Sequence, residues 1–348
     1  MIAEAMRVLD RTPEKTLLVV DEKKRLLGSL TDGDIRRYIL QDNNLDRNIS
    51  GGYCKNPISV QKDDYTKNDL KNLFKENRIS VIPVVNRLGK LVDYLTIEDV
   101  SKGTTAGANG RAQIYAPVVI MAGGKGTRLE PFTKILPKPL VPVGGRAVID
   151  IIMEKFRNFG LDHFYISVNH KAKIIKAYFE ERKPGCTISY LDEKEPLGTA
   201  GSLRMLIGQV TGPVFISTCD NIIDTDYADL HAFHTQNNYD ITLVASLKEF
   251  NIPYGVCEVE KSGSLSMIRE KPEFNFLVNT GLYILNERVI HAIPEGTVFH
   301  MTDLINKVKK QGGSIGVYPI GDNSWIDIGE WSEYRNAIDA LEGGVVGL

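Results

Sequence analysis

Part of this chain is written twice, and that limits its possible folds more than any other feature. Residues 18–35 align without a gap on residues 83–100, and the offset stays at 65 throughout (86 − 21, 96 − 31, 99 − 34). Each copy reads as an apolar strand, a polar turn, a second strand, and then Thr-x-x-Asp opening a helix. A helical stretch precedes each copy, at 4–9 and 67–76, with Ala5/Leu9 and Leu70/Leu73/Phe74 on one face at i, i+3 and i+4 spacing. The repeat predicts two copies related by a two-fold axis. In the second copy, residues 57–60 supply a leading strand before the helix; subtracting 65 places its equivalent before Met1. The first repeat therefore either starts part-way in or lacks that strand.

The Thr-x-x-Asp step has a structural role as a helix cap, with Thr31 or Thr96 accepting a first-turn backbone N–H and the acidic residues favoured by the helix dipole. It also offers a hydroxyl and a carboxylate, from Thr31 and Asp34 or from Thr96 and Asp99, to the vicinal hydroxyls of a ribose. With both residues present in both copies, residues 1–103 resemble a pair of CBS domains. The resemblance implies a regulatory module that takes an adenine or guanine nucleotide at those four residues, and a homo-oligomer assembled partly through it. A small, Gly-rich, aperiodic stretch from Ser101 to Gly110 reads as a flexible linker. The expected division is a pair at 1–103, a linker at 104–114 and a second domain at 115–348.

Composition excludes several partners. Lys and Arg number 42 against 44 Asp and Glu, a net charge of −2, so there is no basic surplus for nucleic acid or an anionic membrane. No apolar run approaches the roughly 18 residues of a membrane span, and residues 1–7 lack the basic-then-apolar order of a signal peptide. Cys54, Cys186, Cys219 and Cys257 lie far apart with no C-x-x-C pair, which suits a reducing cytosol rather than a disulfide framework or a zinc knuckle. A soluble, cytoplasmic protein is expected.

Beyond the linker, strands and helices alternate: strands at 117–121, 163–168, 187–190 and 213–218, and helices at 147–159, 172–181 and 200–207. This pattern predicts an α/β domain with a mixed, mainly parallel sheet covered on both faces, whose ligands sit at the carboxyl ends of strands. Gly123–Arg128 and Asp220-Asn221 both fall at such ends. The glycine loop is not a Walker loop, since no G-K-[ST] follows at the required spacing, and Leu129 stands where a dinucleotide fingerprint needs its third glycine. Its glycines let backbone N–H groups approach a triphosphate. Arg128 offers a bidentate fork to phosphate oxygens, and Lys138, between Pro137 and Pro139, a point charge on a stiffened loop.

The run Gly123-Gly124-Lys125-Gly126-Thr127-Arg128-Leu129-Glu130-Pro131, continued by Thr133 and Pro137-Lys138-Pro139, resembles the G-G-x-G-T-R-L-x-P-x-T-x-x-x-P-K-P signature of the sugar-1-phosphate nucleotidyltransferases. Further motifs follow in that family's order. Glu195 to Gly201 resembles its second loop, which implies that Gly198 and Thr199 close on the base and sugar of the nucleotide. Asp220 and Asp327 of Trp325-Ile326-Asp327-Ile328-Gly329 match its metal-binding aspartates, implying Mg²⁺, with Asn221 beside Asp220 as a substrate contact. Glu270-Lys271-Pro272 and Val278-Asn279-Thr280-Gly281 match its sugar-phosphate contacts, Lys271 as the anion partner and Asn279 and Gly281 beside the sugar. The resemblance implies a Rossmann-like, GT-A-like domain with Arg128 and Lys138 as catalytic groups, and with Gly123, Gly124, Gly126 and Thr127 on the nucleotide. A CBS pair ahead of such a domain looks most like the guanylyltransferases that make GDP-glucosamine from glucosamine-1-phosphate and GTP for bacterial legionaminic acid synthesis.

Mannose- or heptose-1-phosphate guanylyltransfer stays open, as does uridylyl, thymidylyl or cytidylyl transfer. One rival is a metal-dependent glycosyltransferase using Asp224 and Asp226; the other reading of that pair is capping of the helix at 227–236. A second rival is a nucleotide sensor carrying an inactive transferase domain. Both aspartates and both lysines of the motifs are present, which speaks against it. His231 and His234 share a helix face without a third ligand nearby and read as part of a surface helix rather than a metal site.

Overall fold

The computed structural model describes residues 1–12, 14–42, 48–62, 64–77, 79–96, 99 and 113–342. Contacts divide the described residues into two compact units: Met1–Gly110 with Leu247–Phe276 and Gly321–Asn323, and Arg111–Ser246 with Leu277–Ile320 and Ser324–Leu348. Segments 247–276 and 321–323 thus group with the first unit, which the linear division of the sequence did not anticipate. Residues 104–112 of the expected linker lie outside the described residues.

The repeat folds twice in the same way. Strands β1 (Thr16–Val20) and β2 (Leu26–Thr31) form an antiparallel hairpin in the first copy. In the second, β3 (Val60–Gln61) runs parallel to β4 (Val81–Val85), which pairs with β5 (Leu91–Thr96). The hairpin registers are identical after adding 65: Thr16 faces Thr31 as Val81 faces Thr96, and both hairpins shift register at the equivalent step, Val19/Val20 and Val84/Val85. The copies meet symmetrically. The Leu26 N–H donates to the Gly89 carbonyl at 3.0 Å and the Leu91 N–H to the Lys24 carbonyl at 2.9 Å, while Arg25 bridges its own counterpart, Lys90. Such reciprocity is what a two-fold relation requires. Helices Ile2–Asp10 and Lys67–Asn77 also start 65 residues apart and bury the apolar faces read from their spacing, including Ala5, Leu9, Leu70 and Phe74. Among the described residues the first copy lacks a partner for β3.

A seven-stranded sheet forms the body of the second unit, residues 247–251 at the far end of one strand and 273–276 at the start of another being counted with the first. Its strands are β6 (Val118–Met121), β9 (His163–Val168), β10 (Thr187–Asp192), β11 (Pro213–Thr218), β13 (Ile241–Asn251), β16 (Glu273–Asn286) and β17 (Ile315–Ile320). The order is β10-β9-β6-β11-β16-β13-β17; β10 to β11 are mutually parallel, and β16 enters antiparallel to β11. Small ribbons β7–β8 (Pro142–Val143, Arg146–Ala147) and β12–β18 (Asn221–Ile223, Trp325–Asp327) flank the sheet. Alternate residues feed two cores. Val118, Ile120, Phe164, Phe215 and Ile284 pack with helix Val148–Arg157 on one face. Val119, Tyr165, Val214, Ile216 and Leu285 pack with Leu203 and helix Met301–Lys310 on the other. Burial on both faces explains why these strands read as continuous apolar runs. The expected helix at 200–207 is instead a 3₁₀ stretch, Gly201–Leu206. At its start the Ala200 and Gly201 N–H groups donate to the Phe299 carbonyl at 3.0 and 3.2 Å, and its bonds close over three residues, Leu203 to Ala200 and Ile207 to Arg204.

Candidate active site

β6 and β11 are parallel neighbours with Met121 opposite Thr218, so the glycine loop and the Cys219-Asp220 step leave from adjacent carboxyl ends. The loop turns at Gly126, with φ +68°; a Cβ there would lie 2.9 Å from Thr133 Cγ2 and 3.1 Å from Lys138 Cβ. Only glycine fits. Gly123 rests against the buried Glu193 carboxylate, Gly124 opens to space, and Thr127 begins an exposed 3₁₀ turn carrying Arg128. Lys138 sits in the turn Lys138–Leu140 and forms an ion pair with Asp220, their side chains only 11% and 14% exposed.

The β12–β18 ribbon brings in the second aspartate. Asn221 pairs with Asp327, and the Ile328 N–H donates to the Asp220 carbonyl at 2.9 Å. A Cβ placed on Gly329 would lie 2.8 Å from Asp327 Oδ1, 3.1 Å from Asp220 Oδ2 and 3.5 Å from Lys138 Nζ, so these three groups converge on one side of Gly329. Burial pushes the Asp327 carboxyl above its ordinary range and the Asp220 charge adds to the shift; the Gly329 N–H, which donates to it, and the Lys138 and Arg128 charges oppose the rise. Arg128 donates to Glu330 at 2.8 Å, and chiefly that bond holds its guanidinium more firmly protonated.

Other expected residues take varied places. The Asn221 amide is buried and fully engaged: it donates to Thr218 Oγ1 and the Thr280 carbonyl, and accepts from Trp325 Nε1. It lies against Gly281 and faces scaffold on every side. Exposed Asn279 donates to the Tyr283 hydroxyl and accepts from the Gly281 N–H. Gly198 packs on the Phe299 backbone, and the Thr199 hydroxyl accepts from the Met301 N–H, tying the second loop to helix Met301–Lys310. Glu270 and Lys271 are exposed members of the first unit, after strand β15 (Leu265–Arg269) of its ribbon with β14 (Val256–Val259). The structure therefore brings together Arg128, Lys138, Asp220 and Asp327 with the glycine loop inside one unit, while Glu270 and Lys271 stand in the other.

In the repeat, Thr31 and Asp34 bond each other reciprocally: the Thr31 hydroxyl donates to Asp34 at 2.7 Å and accepts from the Asp34 N–H at 3.2 Å. Thr96 and Asp99 do the same and line a cavity of about 510 Å³ with Glu14, Asp93, Tyr94 and Leu95. A third box of the same geometry, Thr66 with Asp69, caps helix Lys67–Asn77. That pair was visible as Thr-x-x-Asp but does not fall in the repeated strand–helix step.

Asp226 caps helix Tyr227–Gln236 by accepting from the Ala228 and Asp229 N–H groups, and Asp224 pairs with Lys155 at 3.1 Å. Burial pushes His234 down to about 4, with His231 adding to the shift; its Nδ1 meets Thr242 Oγ1 at 2.8 Å, a neutral core histidine. Two residues beside the site had no sequence signal of their own. Glu193 accepts from the Ser167 hydroxyl and, at 3.0 Å, from the Leu197 N–H, joining both nucleotide-type loops. Glu330 follows the last motif glycine.

The nucleotidyl transferase family profile matches residues 117–343, and a CBS domain profile matches 1–41 and 53–103. A UTP–glucose-1-phosphate uridylyltransferase of Synechocystis is 31% identical over 243 residues, covering 63% of this chain and 62% of its own length. A mannose-1-phosphate guanyltransferase of Yarrowia lipolytica is 38% identical over 186 residues, covering 50% of each chain. The chain thus spans between half and two thirds of the length of these relatives. HddC from Yersinia pseudotuberculosis superposes with a TM-score of 0.52 at 24% identity, over 65% of this chain and 100% of that one, a likeness of fold alone. By its match from residue 117 to 343, this chain belongs to the nucleotidyl transferase family.

Proposed function

We propose that the chain transfers a nucleotidyl group from a nucleoside triphosphate to a sugar-1-phosphate and releases pyrophosphate. One observation carries the reading: Lys138, Asp220 and Asp327 converge around Gly329, at the strand ends that also launch the glycine loop. A sugar phosphate is already a nucleophilic dianion near neutral pH. Its oxygen forms the new bond at the α-phosphorus as the bond to the β-phosphate oxygen breaks, and no general base is needed. Catalysis is then positioning and electrostatics. Lys138 and Arg128 neutralise charge on the phosphoryl oxygens. Asp220 and Asp327 are a hard-oxygen pair whose mutual repulsion a cation would relieve. That suits Mg²⁺, which is held by one or two carboxylates with substrate phosphates and water; bound there, it would neutralise phosphate charge and fix phosphate orientation.

In this reading Gly123, Gly124, Gly126 and Thr127 line the triphosphate, Gly198 and Thr199 the base and ribose, and Asn279 and Gly281 the sugar; Glu270 and Lys271 are proposed as sugar-phosphate contacts on the motif resemblance alone. Asn221, its amide saturated, serves by fixing Gly281. GTP as donor is supported by the guanyltransferase relative and by the domain order. Glucosamine-1-phosphate is the proposed acceptor on that order, for legionaminic acid synthesis, and mannose-1-phosphate is its nearest competitor. No observation favours a glycosyltransferase, because Asp224 and Asp226 are already occupied by Lys155 and by the helix cap. Residues 1–103 are proposed as a nucleotide sensor at Thr31/Asp34 and Thr96/Asp99, joined at 104–114 to the enzyme domain at 115–348, in a cytoplasmic homo-oligomer. Asp220→Ala and Asp327→Ala should each lower pyrophosphate release at least about a hundredfold while leaving the circular dichroism spectrum unchanged. Near-wild-type kcat with Mg²⁺ present would remove that aspartate from the reading.

A further inference from the structure

Arg128, assigned to the phosphates in the reading above, already has a partner. Its Nη1 donates to Glu330 Oε1 at 2.8 Å, and the two side chains are 63% and 53% exposed. Glu330 is anchored from behind, since its carbonyl accepts the Tyr334 N–H at 2.8 Å in the first turn of helix Trp331–Glu342. The next residue grips the same loop: Trp331 Nε1 donates to the Glu130 carbonyl at 2.6 Å, and its ring lies 5.0 Å from that of Phe132. The segment that carries Asp327 therefore also holds the tip of the glycine loop, and the contact to Arg128 is its one charged point among these.

An ion pair this exposed is weak and exchanges readily. A phosphate offers the guanidinium fork a stronger partner. Once a polyphosphate engages Arg128, the Glu330 carboxylate faces it with like charge, so substrate and Glu330 compete for the same cation. We propose that Glu330 is the resting counter-ion of Arg128, displaced by the triphosphate and re-engaged as pyrophosphate leaves. It is a positioning residue that sets affinity for the polyphosphate and leaves the sugar phosphate untouched. The proposal rests on the assignment of Arg128 to phosphate.

Glu330→Gln keeps the shape and removes the charge. Because competing occupancy divides apparent affinity and exposed pairs carry little energy, removing it should tighten polyphosphate binding by about two- to fivefold. The test is calorimetric titration of the full chain with pyrophosphate at fixed Mg²⁺, for wild type, Glu330→Gln, Arg128→Ala and the double variant. The expected result is a two- to fivefold tighter Kd for Glu330→Gln, with the double variant matching Arg128→Ala. Under turnover the KM for the triphosphate falls by the same factor and the KM for the sugar phosphate stays constant. Unchanged or weaker pyrophosphate binding by Glu330→Gln, an equal gain in the Arg128→Ala background, or no binding by wild type would overturn the proposal. Because this titration needs no turnover, absence of pyrophosphate release from every substrate pair would sink the functional reading separately.

Discussion

Asp327 holds its charge against resistance. It is buried and faces Asp220, and together these raise its affinity for a proton even with Lys138 and Arg128 nearby. The linkage has a definite sign. Below the ordinary carboxylate value of 3.8 the group is neutral in both folded and unfolded chains; as pH rises through its elevated native value, ionisation subtracts stability. Asp327→Asn should therefore match wild type in Tm at pH values below that window and exceed it at neutral pH in the absence of metal, while losing turnover. A Tm at pH 7 below that of wild type would mean that the cations already neutralise Asp327 in full. At this scale the residues that stand inside long motifs, Arg128, Lys138, Asp220 and Asp327, are readable as candidates, and the fold places them near one another. It left Glu193 and Glu330 hidden, because a carboxylate's use depends on what the fold brings opposite it: Ser167 and Leu197 for one, Arg128 for the other.

The Thr-x-x-Asp box recurs three times with the same hydrogen bonds, yet only two fall in the repeated step. The recurrence separates capping from ligand binding. Asp69→Ala and Asp99→Ala should each lower stability modestly in chemical denaturation, since each removes the carboxylate that reaches back to the capping Thr. Only Asp99→Ala should also weaken nucleotide binding to the full chain, since Asp99 and Thr96 line a cavity. Equal nucleotide affinity in both variants would reduce Thr96/Asp99 to a cap. Other elements were legible wherever burial imposed a period: strands 163–168 and 213–218 run as read, and helix Tyr227–Gln236 starts at its Asp226 cap. Apolar spacing does not separate an α-helix from the 3₁₀ stretch found at 201–206, whose entry is fixed by the Gly201 N–H on Phe299, almost a hundred residues away.

Over the whole molecule, the repeat and the strand–helix alternation announced both architectures, down to a two-fold so regular that even the register shift of the hairpins repeats. The grouping of 247–276 and 321–323 with the first unit was not legible, since long-range contacts made by excursions from a sheet leave no break in composition. The functional account joins these parts through one claim, that two phosphate-bearing substrates meet at Lys138, Asp220 and Asp327. The direct measurement is a matrix of nucleoside triphosphates against sugar-1-phosphates on the full chain with Mg²⁺, read as pyrophosphate release. Release should need both substrates together and be strongest with GTP and an amino- or hexose-1-phosphate. Pyrophosphate released from a triphosphate without any sugar phosphate, or from no pair at all, would contradict it.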